Sequence, residues 1–157
     1  MGVLSGLIIW RPLVQPRMQG LMTPNQWIEQ WCQRFWNESQ AATITEMIAA
    51  DGVFSGLPGG PYRGHDEIGA FYQSKTSIFG EFDVEVNEAM EWGDEGMARC
   101  HLNMTHTASG HRVGLEFACW YRLRDGLLVE GRHYIDFLAL LQQLGMSSRD
   151  AFQEAIR

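Results

Sequence analysis

Between residues 23 and 39 the apolar positions Trp27, Ile28, Trp31, Phe35 and Trp36 recur three and four apart, the spacing of one helical face. Thr23 stands where an N-cap belongs, and Pro24 suits the first helical position. A second helix is predicted over TITEMIAA, with Thr43 and Glu46 at capping-box spacing and Asp51-Gly52 as its end. VFSG reads as a short strand, and GLPGGPYRG as a loop by its Gly and Pro content. HDEIGAFYQSKTSIF predicts a third helix, with Asp66 and Glu67 favourable in its first turn. Ile68, Phe71, Tyr72 and Lys75 fall on one side of it; the Lys75 stem can follow that face while its charge stays in water.

From Phe82 the period becomes two. Phe82, Val84 and Val86 alternate with Asp83, Glu85 and Asn87, the pattern of a half-exposed strand. GDEG turns the chain, and strands follow over 97–107, 113–123 and 127–135. SGH and RDGL are their hairpin turns, Asp125-Gly126 being a strong signal. A helix begins after Asp136 and stops at Gly145, and SSRDAFQEAIR predicts a short terminal helix. Early helices and a late meander predict an α+β fold: a cone-shaped, curved antiparallel sheet with three N-terminal helices on its concave face.

The 157 residues suit one domain with a real core. A net charge of −7 and the lack of any Lys/Arg run argue against nucleic acid and anionic membranes as partners. Cys32, Cys100 and Cys119 are odd in number and form no CxxC, so they read as buried thiols in a reducing, cytoplasmic setting. The start, MGVLSGLIIW, is too short to span a bilayer and lacks a basic segment before its apolar run. Residues 1–21 are expected to be a flexible extension or an upstream misreading of the start codon, with a docking arm as the alternative. Residues 22–157 form the domain.

Counting outward from the two hairpins places candidate chemistry on one sheet face. Pairing about Asp125-Gly126 sets Leu123 opposite Leu128, Cys119 opposite Arg132, Phe117 opposite Tyr134 and Leu115 opposite Asp136. Pairing about Ser109 sets Thr107 opposite His111, Asn103 opposite Leu115 and His101 opposite Phe117. His101, Asn103, Tyr134 and Asp136 then share a face with Leu115, Phe117, Cys119 and Tyr121, an apolar surface with convergent polar groups. The other face carries Cys100, Leu102, Met104, Ala118, Trp120 and Ile135, apolar enough to be covered by a second copy. A slip of one residue inverts both faces and leaves His101 and Asn103 in solvent.

Asp136, among the apolar residues of RHYIDFLALLQQLG, has two compatible readings: a helix N-cap, or a proton-transfer group in a pocket. His101 could pair with it or orient a carbonyl, and Asn103 could donate to an oxyanion; a surface histidine and a solvated asparagine are the alternatives. Candidates to wall a pocket are Trp27, Trp31, Phe35, Phe54, Tyr72, Phe117, Tyr121 and Tyr134, all of which could equally be plain core aromatics. His106 and His111 flank a hairpin without a third ligand, so no metal site is indicated. His65 and His133 have no partner that can be named. GxSxG, P-loop and GxGxxG motifs are absent.

GGPYRGHDEIGAFY, THTASGHRV, YRLRDGLLVEGRHYID and LLQQLG together resemble the SnoaL-like polyketide cyclase family, of the nuclear-transport-factor-2-like superfamily. The resemblance covers 23–145 in order and is most specific in the Tyr134-Ile135-Asp136 strand end followed by LLQQLG. It implies a cone whose mouth admits a small hydrophobic molecule, and a homodimer formed through the sheet. It also implies an acid/base role for Asp136, whose carboxyl an apolar cone would raise toward working pH. Epoxide hydrolase relatives hold water with a Tyr and an Asn where Phe54 and Gly56 stand, and their Arg/Asp pair falls near His101 and Asn103. Steroid isomerases place a carboxylate near Ser55. The expected function is therefore a cofactor-independent cyclase or isomerase acting on a small, largely apolar carbonyl compound. Asp136 would move the proton, with His101 and Asn103 stabilising the enolate. The alternatives are a non-catalytic binding protein of the same fold, or an epoxide hydrolase or dehydratase relative. No metal or organic cofactor is implied.

Overall fold

The computed structural model describes residues 20–146, so the expectations for 1–19 and for a terminal helix after 146 lie outside the described residues. The elements are α1 (Pro24–Trp31), a π-helical extension (Cys32–Asn37), α2 (Thr43–Met47), β1 (Ile48–Ser55), β2 (Tyr62–Arg63), α3 (Gly64–Thr76), β3 (Phe79–Trp92), β4 (Glu95–His106), β5 (Arg112–Arg124), β6 (Leu127–Ile135) and α4 (Phe137–Gln143). One six-stranded sheet runs in the order β2-β1-β6-β5-β4-β3. This is the curved α+β cone expected, with one difference: β1 and β6 run parallel, so the sheet is mixed at that pair.

Helix α1 starts as its sequence dictates. The Thr23 hydroxyl accepts from the Gln26 amide, and the Gln26 side chain accepts from the Thr23 amide, closing a capping box around Pro24. Its apolar face is a stack of rings. Trp27 and Trp31 lie 5.4 Å apart between centroids, and Trp31 and Phe35 lie 4.0 Å apart. The buried Trp27 indole donates to the Met47 carbonyl at 3.0 Å, which satisfies its only polar atom.

The chain then widens into a π-helical turn, which carries Phe35 and Trp36 onward before the helix ends. Asn37 ties this end to the sheet: its amide donates to the Val84 carbonyl at 3.0 Å and accepts from the Val84 amide at 2.7 Å. Val84 lies between two register shifts in the β3–β4 pairing, so the side chain engages backbone where the strand is bent.

Two local expectations need correction. Ala42, not Thr43, is the N-cap of α2, because a turn bonding the Thr43 amide to the Gln40 carbonyl draws Thr43 into the buried first turn. That helix also ends at Met47, since Ile48 and Ala49 are buried as the start of β1, which pairs with β6. Tertiary pairing overrides helical preference there.

The register differs from the counted one in both hairpins. The β4–β5 loop holds four residues, 107–110, so His106 and His111 bond across it and every pair shifts by one: His101 lies opposite Glu116, and Leu102 opposite Leu115. In the β5–β6 pair Leu123 does face Leu128, but Arg122 faces Glu130, which leaves Val129 as a bulge. Beyond it Cys119 faces His133 and Phe117 faces Ile135. A bulge adds one residue to one strand, and one residue inverts the faces.

Asn37→Ala removes both bonds to a part-buried backbone segment. It is expected to cost about 2 kcal/mol, read as a shift of the urea unfolding midpoint at unchanged slope.

Candidate functional site

The concave face of the sheet, helices α1, α3 and α4, and the π-helical turn enclose a cavity of about 380 Å³. That volume lies in the range of small-molecule sites. Its walls are aromatic and aliphatic: Trp31, Phe35, Phe54 and Phe117 line it, joined by Trp36 and Phe82. Helix α4 closes one end with Phe137, Leu140 and Leu141. Two titratable nitrogen groups reach this wall, His133 from β6 and Lys75 from α3.

His133 is placed by strand parity and by backbone. It faces Cys119 across the β5–β6 pair, on the cavity side. Its Nδ1 lies 3.2 Å from the Ser55 carbonyl oxygen. A carbonyl only accepts, so Nδ1 carries the proton and Nε2 keeps a lone pair. No protein group among the described residues bonds Nε2. Phe54 packs edge-on to the ring, with 5.2 Å between centroids. Burial pushes the imidazole below its usual range, partly opposed by the Ser55 bond, so it stays neutral at neutral pH.

Gly56 makes this approach possible. At φ +78°, a Cβ there would meet the His133 carbonyl oxygen at 1.9 Å. Only glycine lets the chain pass so close over the His133 backbone and deliver the neighbouring Ser55 carbonyl to the ring.

The three residues expected to form the catalytic group do not converge on the cavity. Asp136 is exposed and caps α4, its Oδ1 accepting from the Ala139 amide at 2.9 Å. His101 and Asn103 lie on the convex face, a consequence of the four-residue β4–β5 loop. There His101 Nδ1 meets Glu116 Oε1 at 2.9 Å, and its Nε2 meets Asn103 Oδ1 at 3.3 Å. With acceptors at both nitrogens, led by Glu116, the His101 imidazole is held above its usual range. Arg99 joins the cluster, 3.0 Å from Glu116 and 3.2 Å from Glu88. This network is a surface ion-pair array on the opposite side from the cavity.

The wall residues divide. Trp31, Phe35, Phe54 and Phe117 line the cavity; Trp27, Tyr72, Tyr121 and Tyr134 do not. Trp27 and Tyr121 pack against each other at 5.7 Å beneath it, and Tyr72 backs Phe35 at 4.3 Å. Burial pushes the Tyr121 phenol well above its usual range, so it stays a neutral core group. Tyr134 is 58% exposed on the convex face, because the Val129 bulge turned it outward as it turned His133 inward. Sequence reasoning missed His133. The available signal was the G131-R132-H133 strand end itself, had the bulge been counted.

Cys32, Cys100 and Cys119 are buried free thiols, as read from the sequence. Hydrogen bonding with Cys100, then burial, holds Cys32 and Cys119 protonated. Among the described residues no group of His, Cys, Asp or Glu is arranged to hold a metal ion. No helix among them is long and apolar enough to cross a membrane.

Comparison with solved structures returns the same architecture. A protein of ketosteroid isomerase-like fold from Catenulispora acidiphila, in complex with trimethylamine, superposes with a TM-score of 0.72 at 17% identity, covering 80% of this chain and 96% of that one. A proposed SnoaL-like polyketide cyclase from Jannaschia sp. CCS1 gives 0.73 at 17% identity, covering 85% and 99%. IdmH of Streptomyces antibioticus, a proposed polyketide cyclase, gives 0.70 at 26% identity, covering 79% and 99%. No curated protein matches the sequence. The family model for SnoaL-like polyketide cyclases matches residues 26–144, three quarters of the chain, and the protein belongs to that family.

Proposed function

We propose that the protein is a cofactor-independent acid/base enzyme of the cyclase or isomerase type, acting on a small, largely apolar carbonyl compound. The observation that carries this reading is a neutral histidine with a free Nε2 lone pair in the wall of an apolar cavity. Family membership supports the cyclase or isomerase class.

His133 replaces Asp136 as the base in this reading. Nε2 takes a proton from the carbon beside the substrate carbonyl, and the electron pair moves into an enolate. The enolate carbon then attacks a second carbonyl, closing a ring and leaving an alkoxide to take the proton; or, where the enolate is conjugated with a double bond, the remote carbon takes the proton and the double bond moves. Either way the imidazolium returns its proton to the product, so no net proton or electron is consumed. In a water-poor cavity the imidazolium and the enolate form an ion pair that solvent does not screen, which favours the charged intermediate. The Ser55 carbonyl steadies the imidazolium through Nδ1–H. Asp136 contributes by fixing α4, which closes the cavity.

The convex face supports a homodimer with a second copy of this chain. Met97 and Tyr134 are exposed there beside Trp120, over which Arg132 stacks at 5.0 Å. The Arg99/Glu88/Glu116 and Arg132/Glu130/Arg122 arrays alternate in sign, so a two-fold pairing can set unlike charges face to face. The buried free thiols support a reducing, cytoplasmic setting. Light scattering at micromolar concentration should give a dimer, and Tyr134→Glu should shift it toward monomer. A wild-type monomer would end the dimer proposal.

Deuterium exchange at the α-carbon of a bound aromatic ketone, followed by NMR, tests the chemistry without knowing the natural substrate. Exchange should fall by a factor of about 10²–10⁴ in His133→Gln. Asp136→Asn should keep it, since Asn also caps helices, while Asp136→Ala should lose about 1 kcal/mol of stability. Exchange unaffected by His133→Gln would leave a binding protein without catalysis.

Stability should carry the signature of the same residue. A histidine held neutral by burial has a depressed value in the folded state, so the unfolded chain binds the proton first as pH falls. Its contribution is complete above the unfolded value of about 6.5 and is lost as pH drops through that value toward the depressed one. Urea unfolding of wild type and His133→Leu between pH 8 and pH 5, a range set around that same histidine value of about 6.5, should show this slope in wild type and a weaker one in the variant. Identical slopes would mean His133 is as protonated folded as unfolded.

A further inference from the structure

Lys75 is the one cavity-lining side chain among the described residues that carries a fixed charge. It is half-buried on α3, and its Nζ lies 5.1 Å from the centroid of the Phe71 ring, itself part of the wall. No carboxylate among the described residues forms an ion pair with it. The acids of its own helix, Asp66 and Glu67, lie in the first turn while Lys75 lies in the last, and Glu67 is bonded to the Arg63 amide. Glu81, early on the neighbouring β3, is taken by the Thr105 hydroxyl.

An ammonium against an aromatic and aliphatic wall gives up part of its hydration and receives only a ring face in return. Such a group attracts an anion more strongly than a lysine in open water, because the wall lowers the local dielectric. The chain as a whole is acidic, with a net charge of −7, so its general field repels anions. A lone cation at the cavity therefore selects acids that also fit the apolar wall, and does not collect anions at large.

We propose that Lys75 is a specificity-determining residue that takes the carboxylate of an aromatic or polycyclic acid whose rings fill the cavity. This rests on the reading of the cavity as a ligand site, and is independent of proton transfer by His133.

The test uses two compounds with the same rings, 2-naphthoate and its neutral methyl ester. Binding is read by intrinsic fluorescence, since Trp31 and Trp36 are in the wall. Wild type should bind the carboxylate about tenfold more tightly than the ester, the effect of one charge-assisted bond, and the ratio should shrink as salt is added. In Lys75→Met the ratio of the two dissociation constants should fall to near one, and Lys75→Arg should keep most of it. Far-UV circular dichroism checks that each variant is folded. Equal affinities in wild type, or a ratio that survives Lys75→Met, would overturn the role of Lys75 and leave the cavity as a ligand site. Failure of both compounds to bind would overturn the ligand-site reading and this proposal with it.

Discussion

A single extra residue, Val129, decides the chemistry of this fold. Side chains on a strand alternate between faces, so each position in β6 is committed to the cavity or to the outside by its parity from the last paired residue. The hairpin begins with Leu123 opposite Leu128, and without a bulge Arg132 and Tyr134 would then share the cavity face with Leu115 and Phe117. With Val129 left out of the ladder, Gly131, His133 and Ile135 take that face instead. An unpaired guanidinium in an aromatic cavity would be costly to bury. Placed outside, Arg132 forms an ion pair with Glu130 and lies over Trp120. The bulge thus exchanges a charge that belongs in water for an imidazole that can be buried neutral.

The surroundings of His133 follow from that exchange. An imidazole packed into the cavity wall needs one partner for its N–H, and the Ser55 carbonyl supplies it across the parallel β1–β6 pair. β1 can approach so closely only because Gly56 follows Ser55, since any Cβ at 56 would collide with the His133 backbone. Gly131 serves the same corner: a Cβ there would reach the Phe54 ring at 2.9 Å, so its absence lets Phe54 lie against β6. The His133 ring, its partner and its aromatic neighbour are positioned by backbone and packing rather than by other ionisable groups. Its state is therefore governed mainly by burial.

The helical frame was legible because its signals are local. Thr23, Pro24 and the Trp27–Trp31–Phe35 spacing specify α1, and Asp125-Gly126 specifies the last hairpin, without reference to anything distant. Asp136 was legible in the same way as a cap. Which face His101 or His133 occupies was not, because parity is set by long-range pairing. The β4–β5 loop has four residues and the β5–β6 ladder skips one, so His101, Asn103 and Tyr134 lie on the convex face, while Phe117 keeps its place in the cavity wall. The parallel β1–β6 pair was hidden for a similar reason: it joins segments about 80 residues apart, as in the Ser55 to His133 bond separated by 78. The motif of the strand end was informative about family. It did not by itself say which of its side chains faces the cavity.

Asp136 and His133 have separate parts in one device. They are three residues apart at the end of one strand, an odd interval that would put them on opposite faces even if the strand continued. The strand does not continue: Asp136 accepts the Ala139 amide and turns the chain into α4. That turn carries Phe137, Leu140 and Leu141 over the open end of the cone, and Gln143 then bonds both backbone groups of Gly114, at 3.0 Å and 2.9 Å, to pin the helix to β5. A carboxylate at this position therefore acts on the cavity through geometry, by deciding where α4 lies, while the imidazole three residues earlier stands in the cavity wall. Charge is kept at the cap, where water and helix amides stabilise it. The neutral imidazole is kept in the cavity wall, where burial preserves its lone pair.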